Sequence, residues 1–230
     1  MDFRYYDDAL KAFENNPYNI FTVFGGVRPI LVLFLYFFKC FSGFGVRETV
    51  TFAPVVLNTL FVLSVFLFVW RGFGDIVLAS FTAFMAAMSF KITVNMYSYF
   101  LANMLALIFI YLALASLMNY MKSKSKLSII FAVVLFNLAL FTHPWTYIQF
   151  SAPLALILLI YAFKFRSFFK VFKDYLGITL IFIPVIPSII LFSIFSGGQI
   201  QIILGLMNLV NVSDLHNYWQ MVVSNQIYSL

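Results

Sequence analysis

The sequence predicts an all-α polytopic membrane helix bundle, and three observations carry that prediction. The chain of 230 residues is 63% hydrophobic and only 10% charged, with 31 Phe, whereas a water-soluble domain carries roughly 25% charged residues. Its apolar runs are long and are broken by short basic loops and Gly-rich turns. That much Phe, Leu and Ile does not fit inside a water-facing fold without large exposed patches. The solvent for most of the chain is therefore lipid. A single cysteine, Cys40, excludes an internal disulfide and a thiolate metal cluster. The basic balance reads as a topology signal, not as a nucleic-acid surface.

The elements follow in order. Residues 2–16 form an amphipathic helix with Tyr5, Tyr6, Ala9, Leu10, Ala12 and Phe13 on an interrupted apolar face, ended by Pro17. The segment lacks the basic start, apolar region and small-residue cleavage site of a signal peptide. Residues 29–43, "PILVLFLYFFKCFSG", are too short to span and lie at the interface. Spans are expected at about 51–70, 75–90, 97–121, 127–142, 146–163 and 175–196. Pro184 and Pro187 kink the last, because proline removes a backbone donor. The expected layout is thus about six transmembrane helices and two juxtamembrane outer-face helices in a single membrane domain, 1–230. Residues 1–48 make an outer loop with the juxtamembrane helices, 49–196 the transmembrane helices, and 197–230 an outer-face segment.

Charge assigns the sides. The loops at 71–75, 122–126 and 164–174 hold Arg71, Lys122, Lys124, Lys126, Lys164, Arg166, Lys170 and Lys173 against Asp75 and Asp174, so the whole formal net charge of +6 falls there. By the positive-inside rule this side is cytoplasmic. The outer face gathers the other acids, His143 and His216, and an Asn211-Val212-Ser213 sequon of the kind that also arises by chance.

Several outer-face residues are suited to chemistry. Asp2 opens the chain beside Arg4 and Tyr5, and Arg28-Pro29 heads the interfacial helix. This order, in "MDFRYYDDALKAF" followed by "GGVRPILVLFLYFF", resembles the first outer loop of GT-C-type membrane glycosyltransferases, the group of aminoarabinose, mannosyl and oligosaccharyl transferases. The resemblance runs from residue 2 to about 196 and lies mostly in topology. The family's first span is missing here, and no further domain follows residue 230. The chain therefore looks like an internal fragment of a longer enzyme, or a degenerate relative. The resemblance implies transfer of a sugar from a polyprenyl-phosphate donor at the outer face of a prokaryotic plasma membrane, with the bilayer and the lipid-linked sugar as partners and no nucleic acid.

In that chemistry a carboxylate activates the acceptor and cations hold the leaving phosphate. Asp2 is the first candidate for the base, and Asp7 and Asp8 are the reserve. No cofactor is demanded; a divalent metal, Mg or Mn, stays open at Asp7 and Asp8, although adjacent acids on a helix point in different directions. A solvated first helical turn accounts for all three acids equally. Arg4, Arg28 and Lys91 are candidate phosphate ligands, with snorkelling to the interface as the competing account of Lys91. Tyr97 fits substrate binding or an aromatic belt. Asn103, a further candidate for substrate binding, falls about one turn inside a span, where its amide must find a partner on another helix or in a cavity lining; Asn58 and Asn137 raise the same question. In "FTHPWT", His143 titrates near neutral pH and suits phosphate or a sugar hydroxyl, and Trp145 suits sugar stacking. The competing account is a helix corner at headgroup level. The rival functions are a secondary transporter or channel fragment, kept open by Pro184 and Pro187, and a non-catalytic membrane assembly subunit. Against transport, no span holds a charged residue at mid-depth.

Overall fold

The computed structural model describes residues 2–21, 28–89, 100–165 and 182. Among them are seven α-helices and no strand: α1 (Asp2–Asn15), α2 (Pro29–Ser42), α3 (Val46–Phe73), α4 (Ile76–Ala87), α5 (Leu101–Ser123), α6 (Lys126–Thr142) and α7 (Pro144–Phe165). A 3-10 turn, Pro17–Phe21, follows α1.

Local chemistry sets each boundary. Proline disfavours helix at the residue before it, and α1 stops two residues before Pro17. Asn16 then turns the chain, its Oδ1 accepting from Tyr18 N–H at 3.1 Å. Pro29 occupies the first turn of α2, where its missing donor costs nothing. Helices α2 and α3 both end on a left-handed glycine, Gly43 at φ 70° and Gly74 at φ 77°, which closes the last turn at no Cβ penalty. At the start of α3, Glu48 Oε2 accepts from Gly45 N–H at 2.9 Å. Asp75 caps α4, accepting from Val77 N–H and Leu78 N–H at 2.8 and 3.1 Å.

Helix α5 lies at the centre. Its Leu101, Met104, Leu105 and Ile108 pack with Leu57 and Phe61 of α3, Leu31 and Leu35 of α2, and Tyr6 and Leu10 of α1. Its opposite face meets α6, where Ala106 and Ala113 of α5 and Ala132 and Ala139 of α6 are all fully buried. Each pair is seven residues apart, so small side chains line one stripe on each helix and the backbones approach closely. Helices α3 and α5 run the same way: Phe61 and Phe68 both pack on Tyr111, and Lys122 Nζ donates to the Arg71 carbonyl at 2.6 Å. One end of the bundle therefore holds the loops at 71–75 and 122–126. The other holds the start of α5 and the corner at His143.

Among the described residues two helices, Val46–Phe73 and Leu101–Ser123, are long and apolar enough to cross a membrane. The all-α arrangement is as expected, and two of the six expected spans have such helices. The expected span at 75–90 is a helix of 12 residues, about 18 Å long against a hydrocarbon core of about 30 Å. The one at 127–142 is a helix of 17 residues, about 25 Å. Helix α7, where the span at 146–163 was expected, has 22 residues and carries Pro153 inside it. The expected sixth span with Pro184 and Pro187, the loop at 166–174 and the 197–230 segment with His216 lie outside the described residues, Phe182 excepted. Phe182 packs edge-on against Phe136 of α6 at 6.1 Å between ring centroids.

Candidate functional site

The corner between α6 and α7 is built by His143. Its backbone is extended, and its N–H closes α6 on the Ala139 carbonyl at 2.9 Å. Its own carbonyl accepts the first bond of α7, from Tyr147 N–H at 3.1 Å. The imidazole completes the cap: Nδ1 accepts from Thr146 N–H at 3.2 Å. His143 thus does for α7 what Asp75 does for α4, and Pro144 follows at the first helical position. An accepting Nδ1 carries no proton, which puts the ring hydrogen on Nε2.

Thr146 ties the corner to α5. It is buried, and its hydroxyl donates to Asn103 Oδ1 while lying 2.9 Å from His143 Nδ1. Asn103 is the third residue of α5, so its amide finds its partner across 43 residues of chain. Arg28 approaches from the head of α2, with Nη1 3.4 Å from the Tyr6 hydroxyl. Tyr6 is itself fully buried on α1. Burial pushes the His143 pKa down to about 4, and the Arg28 guanidinium adds to the push. His143 is therefore neutral at pH 7. The titration expected near neutrality is thus moved to lower pH, and Arg28 is the charged group of the corner.

The remaining candidates fall as follows. Asp2 opens α1. Arg4 and Asp8 are exposed. Asp7 pairs with Lys11 through Oδ2 at 2.6 Å, which raises the Lys11 pKa. Its Oδ1 is buried without a hydrogen-bond partner among the described residues. Asp7 and Asp8 face differently, and no group of three His, Cys, Asp or Glu able to hold a metal occurs among the described residues. Trp145 is 51% exposed. Lys91 and Tyr97 lie outside the described residues. Asn137 is bonded within its own helix, Nδ2 donating to the Val133 carbonyl at 2.9 Å.

The structure adds features that the sequence did not mark. Thr146 and Tyr6 belong to the corner, and their only sequence signal is a Thr three residues past a His and a Tyr on the apolar face of α1. Helices α1 and α2 are also joined by a Glu14–Lys39 ion pair and by Phe13 stacked edge-on against Tyr36 at 5.1 Å. Beside that pair lies an open cleft of about 490 Å3 lined by Glu14, Tyr36, Lys39, Cys40, Gly43 and Phe44. Comparison with protein-family models, with curated proteins and with solved structures gave no match.

Proposed function

We propose that the chain is a membrane-embedded, GT-C-like glycosyltransferase module that transfers a sugar from a polyprenyl-phosphate-linked donor at the end of the bundle holding His143. The observation that carries this reading is the convergence of Arg28, Tyr6, Asn103, Thr146 and His143 from four helices and one corner onto that end. A lipid setting is supported by the large apolar side chains that face outward, among them Leu63, Phe81, Phe131 and Ile160, each about half exposed.

In this reading Arg28 holds the leaving phosphate through its planar fork. Asp2 stands four residues before Tyr6, one turn along the same helix. Its carboxylate takes the proton of the acceptor hydroxyl as that oxygen bonds to the anomeric carbon. The bond from that carbon to the phosphate oxygen breaks, and the lipid phosphate leaves with the electron pair. Neutral His143 contributes by fixing the corner, not by charge. A polyprenyl phosphate with a photoreactive group tests the reading. Crosslinking should fall on α1, α2 or the 143–146 corner and be lost in Arg28→Gln. Crosslinking spread evenly over α3 and α4, or unaffected by Arg28→Gln, would contradict it.

One observation favours a transporter instead. Asn58 Oδ1 is buried in α3 without a hydrogen-bond partner among the described residues, one turn after Pro54, which cannot donate to the Val50 carbonyl. Polar groups inside membrane helices mark substrate and ion pathways. Uptake of a solute into liposomes, lost in Asn58→Leu, would select that reading.

A further inference from the structure

We propose that the opposite end of the bundle is a docking surface for the headgroups of anionic phospholipids. This rests on the chain lying in a membrane but not on sugar transfer. Lys122 bonds the Arg71 carbonyl across 51 residues and joins two loops into one surface. Arg71, Lys122, Lys124 and Lys126 are all exposed there. Asp75 is the one acid at this end among the described residues, and its Oδ1 is spent on the two N–H groups of α4. The surface is therefore strongly cationic. An ammonium has three hydrogens, and Lys122 uses one on Arg71.

The setting selects a lipid over other anions. Phe73, Ile76, Val77 and Leu127 are exposed beside the cations, so an apolar collar sits against the charged ring. Arg71 lies 5.2 Å over the Trp70 ring and Lys124 5.4 Å over the Tyr120 ring, the aromatic and cationic pairing of a headgroup layer. A free phosphate or a nucleic acid has no use for the collar; a phospholipid fills both halves. Lys124 gives a separate sign. It holds the left-handed position after α5, at φ 54°, where α2 and α3 use Gly43 and Gly74. A side chain there strains the backbone, and glycine avoids the strain. Lys122 already supplies the cation for the last turn of α5, so Lys124 adds charge to the surface at a site better suited locally to glycine.

The purified full chain is placed in nanodiscs of phosphatidylcholine alone or with 30% phosphatidylglycerol, and its thermal midpoint and co-purifying lipids are measured. The anionic lipid should raise the midpoint by several degrees and be retained preferentially. In Lys122→Gln/Lys124→Gln/Lys126→Gln, and separately at high salt, that gain should fall by more than half. Lys124→Gly should raise the midpoint in phosphatidylcholine while reducing the gain from phosphatidylglycerol. Equal stabilisation by both lipids, a preference that survives the triple variant, or the same gain from inorganic phosphate in phosphatidylcholine would overturn the proposal. So would a lower midpoint for Lys124→Gly in phosphatidylcholine, because Lys124 would then be serving the fold.

Discussion

Thr146→Val isolates the bond that fixes the corner. Valine keeps the branched shape of threonine, so no cavity opens, and the backbone N–H that caps onto His143 remains. What is lost is the hydroxyl that donates to Asn103 Oδ1 in a buried position. A hydrogen bond contributes about 0.5–1.5 kcal/mol net, and interhelical bonds in membranes average about 0.6 with a maximum near 1.7 kcal/mol. Leaving the Asn103 oxygen without its donor adds desolvation. The expected loss is about 1–1.5 kcal/mol, close to a tenfold rise in the unfolding constant. The assay is reversible unfolding in bicelles of the wild type, Thr146→Val, Asn103→Ala and the double variant. The two changes should be non-additive by about 1 kcal/mol. Additivity to within about 0.3 kcal/mol, the scatter expected of independent sites, would refute the claim that this pair holds α5 to the corner.

Three further outcomes follow from the packing and charges. The His143 ring, followed by NMR, should protonate near pH 4 rather than near 6.5, and Arg28→Gln should raise that midpoint. Because the folded pKa lies below the unfolded one, the unfolded chain binds the extra proton between pH 6.5 and 4, so stability should fall as pH drops through that window and level off below it. Ala113→Leu should cost about 1–3 kcal/mol by overpacking the seam between α5 and α6, seen as a lower unfolding midpoint. Asp75→Ala removes the cap of α4 and should cost about 1 kcal/mol, with faster hydrogen exchange confined to residues 76–79.

Part of the helix punctuation was legible because it is local. Pro17, Pro29 and Gly43 each mark a boundary through φ or a missing donor, and those boundaries appear within a residue or two of their places, whereas the span expected at 51–70 is a helix from Val46 to Phe73 that ends on Gly74. The amphipathic reading of α1 held for Tyr6, Ala9, Leu10 and Phe13, which are buried, but not for Tyr5, which is exposed. The short α4 was not legible: no Gly or Pro follows Ala87 up to Phe90 to mark its end, and hydropathy alone does not place a helix end. The corner was legible as a corner but not in its chemistry. Histidine is not a usual capping residue, and the Asn103–Thr146 bond joins positions 43 residues apart, a pairing that no periodicity encodes. The shifted pKa of His143 follows from burial and from Arg28, and both depend on tertiary packing.

The most direct test of the glycosyltransferase reading is transfer itself. The purified chain in lipid is mixed with radiolabelled polyprenyl-phosphate sugar and a hydroxyl acceptor, and label in the acceptor is counted. The account predicts transfer by the wild type, abolished in Asp2→Asn and in Arg28→Gln, with Thr146→Val reduced but active. No transfer by the wild type, or transfer unchanged in both Asp2→Asn and Arg28→Gln, would contradict it.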